Sequence, residues 1–190
     1  MSNFHMSRFS RSALAVIGLA ALTACGNSNN PSLPLPEDPV PRTIYDLADG
    51  PIDRPSSLSV LAGRTGEPRV VRVDNSGEWD FSFGMLDGEP AWLPRGFFEG
   101  FEPSSGIAET ALDFDDVILV PGEIDDYEFE QPVQITVGRT YALRSRPDPG
   151  LSVTCVVYAK AEVLEVHGDP ARLEIRIFWN PNCNETNVSN

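Results

Sequence analysis

The sequence predicts an all-β protein, an antiparallel β-sandwich that ends in a long C-terminal hairpin. Three observations carry this. Between residues 42 and 182 the apolar residues fall in short β-rich runs, with no sustained 3.6-residue period. Turn formers break those runs roughly every eight to fifteen residues, the punctuation of many short antiparallel strands. The two longest runs, 154–166 and 172–179, flank Gly168-Asp169-Pro170, a turn signal.

The N-terminus comes first along the chain. A positive region with Arg8 and Arg11 leads into the apolar stretch 13–22 and then Thr23-Ala24-Cys25, the three parts of a secretory signal. Ten apolar residues are about half the ~20 that a membrane-spanning helix needs, so residues 1–24 are expected to be a signal peptide. Leu22-Thr23-Ala24-Cys25 resembles the bacterial lipobox, whose cysteine receives the lipid and becomes the mature N-terminus. The resemblance implies lipidation of Cys25 and a membrane partner reached through that lipid; several acyl chains hold a protein durably where one does not. Gly26, rather than Asp, follows the cysteine. By resemblance to Gram-negative lipoprotein sorting, this implies the outer membrane, facing the periplasm or the cell surface.

Residues 25–41 are polar and proline-rich without a hydrophobic period, and read as a tether. In polyproline II form they extend about 50 Å at ~3.1 Å per residue. Loss of residues 1–24 removes two arginines and no acid, leaving 12 basic and 28 acidic side chains, net −16. Such a surface repels nucleic acid and anionic lipid headgroups, so no nucleic-acid partner is expected.

Residues 42–183 have the length of one domain with its own core, and 184–190 read as a polar tail. Strands are expected at 69–73, 79–85, 117–120, 133–137, 140–145, 154–166 and 172–179. In the final hairpin, centring the turn on Asp169 makes opposed residue numbers add to 338. That register sets Ala159 opposite Trp179, Ala161 opposite Ile177 and Val163 opposite Ile175, an apolar face with small residues across from large ones. On the other face Glu162 meets Arg176, an opposite-charge pair. Cys155 and Cys183 obey the same sum. Opposed strand residues lie ~4.5–5.5 Å apart at Cα, within disulfide reach, and an even pair in an oxidising compartment is most simply a disulfide. A metal site or a catalytic thiol would need histidine partners, and after Cys25 the chain has only His167.

Three stretches resemble the HmuY family of secreted bacterial lipoproteins, haem-capturing proteins of all-β fold. They are Trp79-Asp80-Phe81-Ser82-Phe83, then Val137-Gly138-Arg139-Thr140-Tyr141-Ala142-Leu143-Arg144-Ser145, then Tyr158-Ala159-Lys160-Ala161-Glu162-Val163-Leu164 with the run 172–179. The resemblance covers roughly residues 70–180 and implies the fold. Members that bind haem carry axial histidines or methionines in a long insertion before the Arg-Thr-Tyr-like strand. Here the corresponding stretch 121–138 is short and holds no His, Met or Cys. No axial ligand is carried over, and fold without site is a poor warrant for function.

Candidate sites are few. Trp92, Arg95, Phe97, Phe98 and Phe101 share a Gly- and Pro-rich segment. If exposed, they offer an apolar patch with a guanidinium ready for a carboxylate; the alternative is a loop folded back over them as a secondary core. His167, beside the turn, and Met85 are weak haem-ligand candidates. The acids between Asp113 and Glu130 lack an Asp-x-Asp-x-Asp-Gly loop and read as a solvated face rather than a calcium site. No catalytic residue and no metal site are expected: a Ser-His-Asp or Cys-His group would have to use His167, and no Gly-x-Ser-x-Gly elbow occurs. The expectation is a non-enzymatic, lipid-anchored binding module for a protein or a small apolar ligand, without a cofactor. The alternatives are a haem or porphyrin carrier and, further off, a hydrolase built on two carboxylates.

Overall fold

Among the described residues, ten strands pair into two antiparallel sheets of five. The computed structural model describes residues 32–74, 77–151 and 154–189, so the expected signal peptide, Cys25 and residues 26–31 of the expected tether lie outside the described residues. The strands are β1 (Val40–Tyr45), β2 (Ser57–Ser59), β3 (Arg69–Val71), β4 (Phe81–Leu86), β5 (Glu89–Pro94), β6 (Gly106–Glu109), β7 (Val133–Gln134), β8 (Thr140–Arg144), β9 (Tyr158–Gly168) and β10 (Ala171–Asn180). One sheet runs β1-β10-β9-β8-β6 and the other β3-β2-β4-β5-β7. The described helical pieces are 3-10 turns of three or four residues.

Alternation along the strands builds the core. Phe81 and Phe83 of β4 and Trp92 of β5 face Tyr141 and Leu143 of β8, Ala159, Ala161 and Val163 of β9, and Leu173, Ile175, Ile177 and Trp179 of β10. The small side chains of β9 make room for the large ones beside them on β10, the interdigitation that a sandwich core requires. Gly63 completes this packing: a Cβ there would stand 2.6 Å from the Trp179 ring, whose Nε1 donates to the Gly63 carbonyl at 2.9 Å.

The outer face of the β1-β10-β9-β8-β6 sheet carries a second cluster. Phe114, Val117, Val120 and Tyr127 fold over Ala142, Tyr158 and Phe178. Both faces of the chain are therefore buried near Tyr158, which is why residues 155–159 read as a continuous apolar run. The expected strand at 117–120 is instead part of this cover; only Leu119 makes an isolated bridge, to Asn187. The acids between Asp113 and Glu130 point outward from the cover. Glu128 is the half-buried one among them. It accepts backbone N–H bonds from Phe129, Glu130 and Gln131, which lower its pKa. Lys160, the chain's one lysine, is buried here, donating to the Val117 carbonyl at 2.8 Å beneath the Phe114 ring.

The C-terminal hairpin has the expected register over its inner half. Ala159 pairs with Trp179, Ala161 with Ile177, Glu162 with Arg176 and Val163 with Ile175. Cys155 and Cys183 are joined at a Cα separation of 4.9 Å. By the loop-entropy argument a bridge over this span contributes roughly 3 kcal/mol. The outer half differs by one residue. A bulge sits between Glu174 and Ile175, so that Glu165 pairs with Glu174 and His167 with Arg172, and the turn is Asp169-Pro170 alone.

Two further differences have physical reasons. The packed chain extends beyond the expected boundaries of 42 and 183: β1 begins at Val40, Leu35 packs on the second cluster, and Val188 is buried in it. A proline-rich stretch without period cannot announce an edge strand, because that strand needs only every second side chain apolar. Strand β5 was missed because Pro90 and Pro94 lie inside it. Its signal was Asp87-Gly88, where both residues take positive φ, 52° and 86°, in a two-residue hairpin turn.

Candidate functional site

The residues singled out in the 92–101 segment part company. Trp92 is fully buried at the centre of the sandwich, edge-on to Phe81 and Tyr141. It is core, not ligand surface: its place in β5 opposite Phe83 turns it inward. Arg95, Phe97, Phe98 and Phe101 lie beyond the strand, at one end of the sandwich, and gather around Trp79. The Phe98 ring meets Trp79 at 5.3 Å in a T-shaped contact, Phe101 lies 5.4 Å away, and Phe97 stands edge-on to Phe98 at 5.2 Å. Phe97 and Phe101 keep 39% and 40% of their surface in solvent. The segment is thus neither a bare patch nor a closed secondary core; Trp79 is its buried floor and two phenylalanines form its rim.

Arg95 is held over this floor. Its guanidinium lies 5.0 Å from the Trp79 ring centre and 4.6 Å from that of Phe101. One nitrogen donates to the carbonyls of Gly77 and Trp79, at 2.6 and 2.9 Å. Beside it opens a cleft of about 810 Å³ whose lining includes Arg64, Arg69, Arg95 and Arg146, together with Phe101 and the acids Glu78, Glu102 and Asp148. Burial first, and then the charge of Arg146, lower the Arg95 pKa. Two of the four arginines, Arg64 and Arg146, are already ion-paired, with Asp148 and Asp80.

Asp80 fixes the cleft from below. Its carboxylate is fully buried and accepts from the backbone N–H of Val60 at 2.6 Å and of Leu61 at 3.0 Å, from the Ser105 hydroxyl at 3.0 Å, and from the backbone and guanidinium of Arg146 at 2.8 and 3.0 Å. It thereby ties the loops after β2, before β6 and after β8 to the start of β4. Arg64 is steadied by Asp148 at 2.6 Å. Arg69, at the start of β3, is exposed and forms no ion pair among the described residues.

The haem-ligand candidates lie elsewhere. His167 is at the tip of the C-terminal hairpin, and Met85 is half-buried near the same end, its backbone N–H donating to Asp46, whose own N–H donates to the Ala171 carbonyl. The cleft is at the Tyr158 end, where Arg144 pairs with Tyr158 and Arg146 follows. Nine strand residues at ~3.3 Å each put about 30 Å between Tyr158 and His167. Neither residue is brought to the aromatic segment. Met85 packs against the main core.

Sequence reasoning missed the three arginines that join Arg95 and the role of Trp79-Asp80. The arginines come from three separate loops and strands, so no spacing gathers them. The chain matches no protein-family model, no curated protein and no solved structure.

Proposed function

We propose that this is a lipid-anchored, non-enzymatic binding module of the cell envelope that takes a carboxylate-bearing ligand with an apolar part in the arginine and aromatic cleft. One observation carries the reading. Four of the eleven arginines that follow Cys25, in a chain with 28 acids, line one cleft beside Trp79 and Phe101. A planar guanidinium matches a carboxylate bidentately, and the ring beside it takes the ligand's apolar portion. Anchoring through Cys25 and the tether would hold this cleft away from the membrane. The strand motifs that resemble the HmuY family support a kindred fold, not its ligand.

Benzoate and its neutral isostere benzamide are suitable probes, titrated in the millimolar range and followed by ¹H–¹⁵N NMR. Benzoate is expected to move the amide signals of Arg95, Phe101 and Arg146, and benzamide to leave them in place. Arg95→Ala should weaken benzoate roughly tenfold, the loss of one charged hydrogen-bonding contact at about 1.5 kcal/mol. Unmoved signals would overturn the reading. So would a haemin titration whose Soret shift disappears in His167→Ala, the signature of a haem carrier.

Anchoring has a separate readout. Cells expressing the protein and fed radiolabelled palmitate should incorporate label that Cys25→Ser abolishes, with the variant released from the membrane fraction. Equal labelling of both forms would remove Cys25 as the lipid site.

A further inference from the structure

We propose that Glu165, His167 and Glu174 form a surface site for a divalent transition metal of the zinc class. The site is separate from the cleft, at the far end of the sandwich. It exists because of the hairpin bulge. In an unbroken register Val163, Glu165 and His167 would share one face, and the inward Val163 would draw both polar residues toward the core. The bulge shifts the remaining chain by one position. Val166 takes the core-facing place and packs on the main cluster, while Glu165 and His167 emerge on the outer face.

The geometry fits a metal. His167 Nε2 stands 3.1 Å from Glu174 Oε1 and 3.4 Å from Glu165 Oε2, and the three ligand atoms lie within 4.8 Å of one another. With metal–nitrogen and metal–oxygen bonds of ~2.0–2.2 Å, neighbouring ligand atoms of a tetrahedral site are about 3.3–3.5 Å apart. The 3.4 Å edge is already at that spacing, the 3.1 Å edge is within a few tenths of an ångström of it, and the third closes by a rotation of the exposed Glu165 side chain. Nε2 is excluded from solvent and makes no hydrogen bond among the described residues. It faces the two carboxylates without a geometry that satisfies it.

Charge points the same way. Glu165 and Glu174 are directly opposed across the two strands, an arrangement that is unfavourable for like charges. Arg172 Nε, 3.5 Å from Glu174 Oε1, offsets part of this. A dication held by two carboxylates and a neutral imidazole makes the set neutral and leaves a fourth position for water.

The test is calorimetric titration of the purified protein with Zn²⁺, paired with ¹H–¹⁵N detection of the imidazole nitrogens. One equivalent is expected to bind in the micromolar range, with a shift of a ring Nε2 resonance that is missing in His167→Ala. His167→Ala should weaken Zn²⁺ at least tenfold, and Glu174→Gln severalfold, with thermal unfolding of the metal-free forms close to the parent. Binding no tighter than millimolar would overturn the proposal. So would affinity unchanged in both variants, since the metal would then sit on the acidic surface at large.

Discussion

Replacing Asp80 by alanine is expected to lower the stability of the domain by about 3–5 kcal/mol, a large share of the ~5–15 kcal/mol typical of a domain this size. Five donors lose their acceptor at once, and one of them is a charged guanidinium. The loss is not one contact. The Val60–Leu61 backbone, Ser105 and Arg146 belong to three chain segments that converge on this carboxylate, and a buried donor without a partner costs roughly 1–3 kcal/mol. Asp80→Asn is expected to retain less than half of the lost stability, because its NH₂ must face either Arg146 or the Val60 and Leu61 amides. Urea unfolding followed by tryptophan fluorescence measures both. A midpoint for Asp80→Ala that corresponds to less than about 1 kcal/mol of loss would mean that the loops hold without the carboxylate. Any of these variants that still folds should also bind benzoate poorly, because Arg146 loses its seat.

How much of this was legible in the chain can be judged residue by residue. The inner half of the hairpin was, because alternation, a disulfide pair and the Glu162–Arg176 pair all depend on one index sum, and three constraints on one register leave no freedom. The outer half was not. A bulge leaves no trace in polarity when the residues around it, Leu164 to His167, are mixed, and so the grouping of His167 with Glu165 and Glu174 stayed hidden. The cleft was half legible. Arg95 and its phenylalanines are neighbours in sequence, but Arg64, Arg69 and Arg146 reach them only through the folding of separate loops. Asp80 shows why: an acid next to a tryptophan at a strand's start looks exposed in sequence, and only its tertiary donors bury it. Strands and local registers follow from nearest neighbours. Sites assembled from loops do not.

The division of the 92–101 segment into core and rim makes the second large prediction. Trp92→Ala should cost about 3–5 kcal/mol, since a fully buried indole between Phe81 and Tyr141 leaves a cavity that the sheets cannot close. Phe97→Ala, on the rim, should cost under about 1 kcal/mol, as its ring is 39% exposed and meets Phe98 edge-on. Trp92→Phe separates packing from polarity. The Trp92 Nε1 is buried without an acceptor among the described residues, so phenylalanine gives up ring volume but also removes an unsatisfied donor worth roughly 1–3 kcal/mol. The two effects oppose each other, and Trp92→Phe is expected to lose less than half of what Trp92→Ala loses. Denaturant midpoints of the three variants decide the matter. If Trp92→Ala proved as mild as Phe97→Ala, the indole would belong to the rim and the cleft would have to be redrawn around it. If Trp92→Phe proved as costly as Trp92→Ala, the indole N–H would have a partner in solution, and its burial would be a specific contact rather than packing.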